Sequence, residues 1–130
     1  MNNNYKEEYI QFRIKRALET FDDAKLLAEN DRWTSCVNRL YYSCFYIISA
    51  LLLKNDINYN LHSGLKTQFS LNFIKTGKIS KEYGKLFSDL FNWRHKGDYS
   101  DLFLFDEEAV KPIIDTVEEF INEIINIING

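Results

Sequence analysis

The segment from about Arg32 to Lys54 constrains the fold more than any other part of the chain. Its apolar residues recur every three or four positions and fall on more than one side of a helix. One stripe carries Cys36, Val37, Leu40, Tyr41, Cys44, Ile48, Leu51 and Leu52, and a second face carries Arg39, Tyr42, Ser43, Tyr46 and Ala50. A helix with two usable faces belongs at the centre of a bundle. At about 1.5 Å per residue it would run roughly 33 Å. One Pro and five Gly in 130 residues are too few for the turns of a β-sandwich. An apolar share of 45% with 27% charged residues excludes wholesale disorder. The expectation is one domain over residues 1–130, all-α, with an antiparallel, up-and-down arrangement.

Four more helices follow from the same periodicity. Apolar positions 10, 14, 17, 18, 21, 24 and 28 predict a helix over Tyr5–Glu29, with Asn30 as its stop and Asp31 as cap for the next. Asn55 to Leu61 reads as a polar turn. Ser63 reads as the N-cap of a third helix running through Thr76, ended by Gly77. Ser80 caps a fourth helix with the stripe Tyr83, Leu86, Phe87, Leu90 and Phe91, which Gly97 is expected to end; Asp98 to Phe105 then forms a loop. Asp106 with Glu107 and Glu108 marks the acidic start of a fifth helix, in which Pro112 predicts a kink or a late start near Lys111. The run Leu102–Phe105 is too short and isolated for a sheet.

Net charge is −3, which excludes a globally basic nucleic-acid binder but not a local basic patch. Eight basic and three acidic residues lie between Lys54 and Lys96, whereas Asp106 to Glu123 holds seven acidic and one basic. Such runs are usually solvated faces; the sharper reading is that the basic middle meets phosphate. Cys36 and Cys44 would stand roughly 12 Å apart on one helix, too far for a disulfide. Reduced thiols, a polar N-terminus without a signal segment, and an apolar stretch (Leu40–Leu53) shorter than the ~20 residues of a membrane span suggest a cytoplasmic protein with no membrane association. Two His and two Cys have no zinc spacing, so neither metal nor cofactor is expected.

Arg94 continues the register of the fourth helix's apolar stripe. A charge there is costly unless it is paired or opens onto a cleft. It reads equally as a structural ion pair, to Asp98 or a first-helix carboxylate, or as a phosphate-binding fork. His95 and His62 each have the chemistry of a proton shuttle. A histidine at a helix boundary is more often a cap, so His62-Ser63-Gly64 is expected to be a structural turn. Tyr41, Tyr42 and Tyr46 have faces on which bases could stack, with Tyr41 the one expected in the core.

Four segments, in order, carry a family resemblance: Ala17 with Asp22, Asp23, Ala24, Leu26 and Leu27; Arg39-Leu40-Tyr41-Tyr42-Ser43-Cys44-Phe45; His62-Ser63-Gly64-Leu65 with Phe69; and Lys75-Thr76-Gly77-Lys78-Ile79, then Leu86 and Arg94-His95-Lys96-Gly97-Asp98-Tyr99. Over about residues 15 to 125 the chain resembles the HEPN superfamily, in particular its small stand-alone bacterial and archaeal branch. The resemblance implies a five-helix bundle, a homodimer, an RNA or nucleotide ligand, and a separate nucleotidyltransferase antitoxin acting in trans, as in toxin-antitoxin systems. Many members are metal-independent ribonucleases whose motif is Arg, a polar residue, then His after a short spacer. Arg94 and His95 match its first two positions, which makes them the implied catalytic pair. Tyr99 stands where the closing His belongs, and a phenol with a reference pKa near 10 is a poor proton shuttle at neutral pH.

That substitution leaves enzyme activity open. It favours a module binding RNA or a nucleotide through Arg94, Asp98, Tyr99, Arg39 and Tyr42, with Tyr99 also the position for modification by the nucleotidyltransferase. The alternatives are an active ribonuclease toxin using Arg94 and His95, and a non-catalytic dimerisation module. The aromatic excess around Phe91, Trp93, Phe103 and Phe105 suggests an exposed patch for the homodimer.

Overall fold

The central helix, α2 (Trp33–Lys54), is the axis of the computed structural model, which describes residues 3–99 and 104–130, with side chains over 5–96 and 104–130. Among the described residues there are five α-helices and no strand: α1 (Asn3–Glu29), α2, α3 (Leu61–Phe69), α4 (Lys81–Tyr99) and α5 (Glu107–Asn129). The expected all-α five-helix bundle is therefore what the chain forms. α2 touches all four other helices, and its side chains from Cys36 to Leu52 are mostly buried. By length and composition the whole helix is apolar enough to cross a membrane, beyond the shorter stretch read from the sequence; two thirds of that window, 67%, is buried in the bundle, which accounts for its apolar character. Cys36 and Cys44 are free and buried.

α1 lies antiparallel to α2, and three contacts set the register. Lys6 Nζ meets Asp56 Oδ1 at 2.8 Å, Arg13 Nη1 donates to the Ser49 carbonyl at 3.1 Å, and Arg16 Nη2 donates to Tyr46 Oη at 3.3 Å. Each step forward on α1 is matched by an equal step back on α2. Ile10, Ile14, Ala17, Phe21 and Ala24 supply the buried face of α1. Leu18, counted in that stripe from the sequence, is 41% exposed. α5 buries Val110, Val117, Phe120, Ile121, Ile124 and Ile128 against the same core.

Several helix ends differ from expectation, each for a local backbone reason. Asp31 does not cap α2. It takes a left-handed conformation (φ 58°) and closes α1: Arg32 N–H donates to Leu27 O and Asp31 N–H to Ala28 O, a Schellman pattern usually given to glycine. Asp56 (φ 57°) closes α2 the same way, with Ile57 N–H to Leu52 O and Asp56 N–H to Leu53 O. Ser63 is not an N-cap either. α3 begins at Leu61 after Asn60, with no side-chain cap, so Ser63 sits exposed in its first turn. The helix stops being α at Phe69 and loosens into a π turn over Ser70–Ile74, short of the expected Thr76. Lys75 N–H donates to Ser70 O across that turn, and Phe69 and Phe73 both stay buried.

Gly97 does not end α4, which continues through Asp98 to Tyr99. Glycine permits a left-handed cap without requiring one. Thus Asp98 and Tyr99 do not turn back over the helix end, and the expected loop from Asp98 is shorter at its start. Pro112 causes no late start: α5 begins at Glu107, capped by Asp106, whose Oδ1 accepts the Ala109 N–H at 3.0 Å. Pro112 is exposed in the second turn, where the carbonyl its missing N–H would have served can turn to water. Ser80 caps α4 as expected, accepting the Glu82 N–H at 3.2 Å. These caps predict a contrast. Asp106→Ala should cost about 1 kcal/mol, whereas Ser63→Ala should stay within about 0.5 kcal/mol of wild type, measured by urea denaturation.

Candidate functional site

Three elements distant in sequence meet around a tyrosine pair on α2. Tyr41 points into the core and is 0% exposed; its ring stacks on Phe87 of α4 at 5.6 Å. Tyr42, about 100° further round the helix, is half-buried, and its ring meets Tyr41 edge-on at 5.0 Å. Thus Tyr41 is the core residue and Tyr42 the one that reaches the surface, as expected. A buried phenol needs a polar partner. The partner is His62, on the first turn of α3, with Nδ1 2.9 Å from Tyr41 Oη. The imidazole also packs on Phe45 at 4.6 Å and edge-on to Tyr42 at 5.8 Å. Immediately before it, Leu61 holds φ 63° and is 79% exposed. Left-handed backbone in a leucine costs of order 1–3 kcal/mol, and it is held at the residue that delivers His62.

Arg94 reaches the same pair from α4. Its position beside the apolar stripe is as expected, since Phe87 and Leu90 below it are buried and Arg94 itself is half-buried. The guanidinium carbon stands 5.1 Å from the Tyr41 ring centroid and 6.0 Å from that of Tyr42. Nη1 donates to Tyr42 Oη over a long 3.4 Å. Aromatic faces carry negative potential, so they hold a planar cation in a partly dry place.

Arg39 joins from one turn earlier on α2. Its guanidinium lies 5.2 Å over Tyr42 while Nε and Nη2 donate to Asn38 Oδ1. Tyr42 therefore carries two guanidinium groups. One turn on, Tyr46 carries a third: Arg16 of α1 stands 5.1 Å from its ring centroid and donates to its hydroxyl. The Tyr42 and Tyr46 rings are 6.1 Å apart.

Of the residues read from the sequence, Arg94, Arg39 and Tyr42 are thus brought together. His95 is not with them: it is exposed on α4, and successive residues on a helix diverge by about 100°. Asp98 and Tyr99 continue the backbone of α4, and their side chains lie outside the described residues. Two participants were missed. Arg16 was hidden in the amphipathic pattern of α1, where a basic residue beside the core stripe reads as solvated. His62 reads in the sequence as part of a structural turn; the signal for it is a core-facing Tyr41 with no polar partner on its own helix. The expected exposed patch is also corrected. Trp93 and Phe105 are partly buried and pack on each other at 5.4 Å, and Phe105 N–H donates to Thr34 Oγ1 at 3.0 Å. Phe91 packs against the core, and Phe103 lies outside the described residues. Large apolar side chains are exposed instead on α1, at Tyr9 and Phe12.

Burial dominates the electrostatics. It raises the Tyr41 phenol well above its ordinary range, against the opposing pull of Arg94. It lowers the His62 pKa below 6.5, and the nearby positive charge of Arg94 lowers it further. His62 is consequently a neutral imidazole at physiological pH. Among the described residues no cluster of His, Cys, Asp and Glu could hold a metal ion.

The site is thus an Arg–Tyr–His cluster at the meeting of α2, α3 and α4 of an all-α bundle. The HEPN domain family matches residues 10–128, and this chain belongs to that family. It is similar to a UPF0332 protein of Thermotoga maritima, 46% identical over 93% of this chain and 92% of the relative. Two relatives from Methanocaldococcus jannaschii are each named "Putative toxin": one is 36% identical, covering 95% of this chain and 91% of the relative, and the other 29% identical, covering 95% and 83%.

The lowered His62 pKa has a thermodynamic consequence. Above 6.5 the imidazole is neutral folded or unfolded; below it, the unfolded chain takes up the proton more readily than the native one. Stability is then lost as pH falls through 6.5 toward the folded value. His62→Gln should flatten that acid-side decline relative to wild type in melting temperatures recorded across the window, with Tyr41, Tyr42 and Arg94 unchanged around the site.

Proposed function

We propose that this protein is a toxin-like HEPN protein whose Arg94 surface binds RNA or a nucleotide, and that it works as a homodimer in the cytoplasm with a separate nucleotidyltransferase antitoxin. The observation that carries the binding reading is the row of guanidinium–tyrosine pairs: Arg39 and Arg94 on Tyr42, and Arg16 on Tyr46. Forked guanidinium donors suit phosphate, and half-buried tyrosines beside them suit a stacked base. Together they make a short basic and aromatic track on a chain whose overall charge is negative, so binding would be local rather than a general attraction. The toxin names of the two archaeal relatives support the toxin-like reading, and a toxin implies a counterpart that restrains it. Exposed Tyr9 and Phe12 on α1 provide apolar surface of the kind that marks subunit contacts.

Titration with a mixed-sequence single-stranded RNA and, separately, with ATP tests the binding reading. Arg94→Ala should weaken RNA binding by about tenfold or more. It should also reduce the dependence of log K on log salt by about 0.7, the loss of one phosphate contact on a single strand, with only a small change in melting temperature. Equal affinity of wild type and Arg94→Ala for both ligands would make Arg94 a structural residue. Light scattering should give twice the 15.4 kDa chain mass; a monomer at micromolar concentration would count against the homodimer.

A further inference from the structure

The linear motif that this chain resembles lacks its closing histidine, yet the fold places a histidine beside Arg94 from a different helix. We infer that His62, not His95, is the proton-transfer residue of the Arg94 cleft, acting on the ribose 2′-hydroxyl of a bound RNA strand. This rests on the reading of Arg94 as the phosphate-holding residue of an RNA site. Three observations carry it. His62 and Arg94 both pack against Tyr41 and Tyr42, so a phosphate on the guanidinium lies near the imidazole. The ring is oriented rather than loose, fixed by Tyr41 through Nδ1 and by the faces of Tyr41 and Phe45. Finally, His62 is half-buried between exposed Leu61 and exposed Ser63, and among the described residues its one hydrogen bond is that to Tyr41. Nε2 is left for a substrate.

An oriented base backed by a third group is the recurring logic of activated nucleophiles. In the tautomer this role requires, Nδ1–H donates to Tyr41 Oη and Nε2 holds the lone pair. Tyr41, kept protonated by burial, serves as a neutral acceptor that steadies the imidazolium once formed. The 2′-oxygen bonds to phosphorus as its O–H bond breaks, and the proton passes to Nε2. The P–O5′ bond breaks with its electron pair on the 5′-oxygen, which takes a proton from water, and the imidazolium returns its proton to the hydroxide so formed. The products are a 2′,3′-cyclic phosphate and a 5′-hydroxyl end. Arg94 offsets the charge that builds on the non-bridging oxygens. Placing the cation beside the base also keeps the base neutral and ready at physiological pH.

A plain structural role, the capping of a buried phenol, predicts the same hydrogen bond and must be separated from this one. His62→Gln retains a polar partner for Tyr41 but cannot shuttle a proton. With chelator present, wild type should cleave total cellular RNA and a mixed-sequence oligoribonucleotide, leaving 2′,3′-cyclic phosphate ends. His62→Gln should cut about 10²–10⁴-fold more slowly with RNA affinity unchanged and with the melting temperature unchanged at neutral pH, above the acid-side window. The wild-type rate should fall on the acid side with a midpoint below 6.5, set by the protonation of His62 amid Tyr41 and Tyr42 of α2 and Arg94 of α4. That limb should vanish in the residual activity of His62→Gln. Undiminished cleavage by folded His62→Gln, or its loss in His95→Ala instead, overturns the assignment. Wild type that binds RNA through Arg94 and leaves it uncut overturns the proton-transfer role and leaves the binding reading standing. Wild type that does not bind RNA overturns both.

Discussion

A tyrosine hydroxyl in the middle of a helical bundle has to be satisfied, and the site is organised around that requirement. Tyr41 is fully buried, and an unpartnered phenol there would forfeit about 1–3 kcal/mol. The return of the chain after α2 brings α3 back onto it, and His62 supplies the missing partner. The cost of the left-handed Leu61 backbone is borne at the same point. Phe45 and Phe87 then close on the tyrosine from its own helix and from α4. With α3 anchored in the core by buried Leu65 and Phe69, the hydrogen bond sets where the imidazole faces.

The second organising feature is a cation handled by aromatic faces. Arg94 stands over Tyr41 and Tyr42, whose faces tolerate a planar cation in a partly dry place. A lysine would be a poorer fit, because its compact charge is more strongly hydrated and does not stack. The same guanidinium lowers the proton affinity of His62. One residue therefore bears on both halves of the site: its guanidinium packs on the tyrosine pair, and its charge adds to the burial that lowers the proton affinity of the neighbouring imidazole. Arg39 and Arg16 repeat the guanidinium-on-tyrosine arrangement along Tyr42 and Tyr46, extending it into a track.

Where reading from the sequence went astray, the misses share a cause. Gly97 and Pro112 have the character of breakers, but breaking is an option that the surrounding packing takes or declines; α4 runs through one and α5 starts well before the other. Asp31 reads as a cap for the next helix but instead adopts the left-handed closure of α1, a conformation that aspartate tolerates better than most residues. Ser63 has the composition of a cap but the chain enters α3 three residues earlier, with Asn60 at the cap position. The π turn after Phe69 has no residue-level signature at all: it keeps Phe69 and Phe73 in the core together.

Hydrophobic periodicity alone determined that this chain is five helices around α2, which faces would be buried, and that Arg94 would sit beside an apolar stripe. Those properties depend on spacing along one helix at a time, and 3.6 residues per turn converts spacing into a face. The likeness of its motifs to HEPN proteins was also legible, because it lies in the order of short segments. Only the tertiary structure decided which faces meet. It brought His62 and Arg94, thirty-two positions apart in the numbering, to the same two tyrosines, and it sent His95, next to Arg94 in sequence, out to solvent. Neighbours on a helix diverge by about 100°, whereas residues on packed helices converge across a shared core. A site built from convergence of that kind cannot be read from a linear motif.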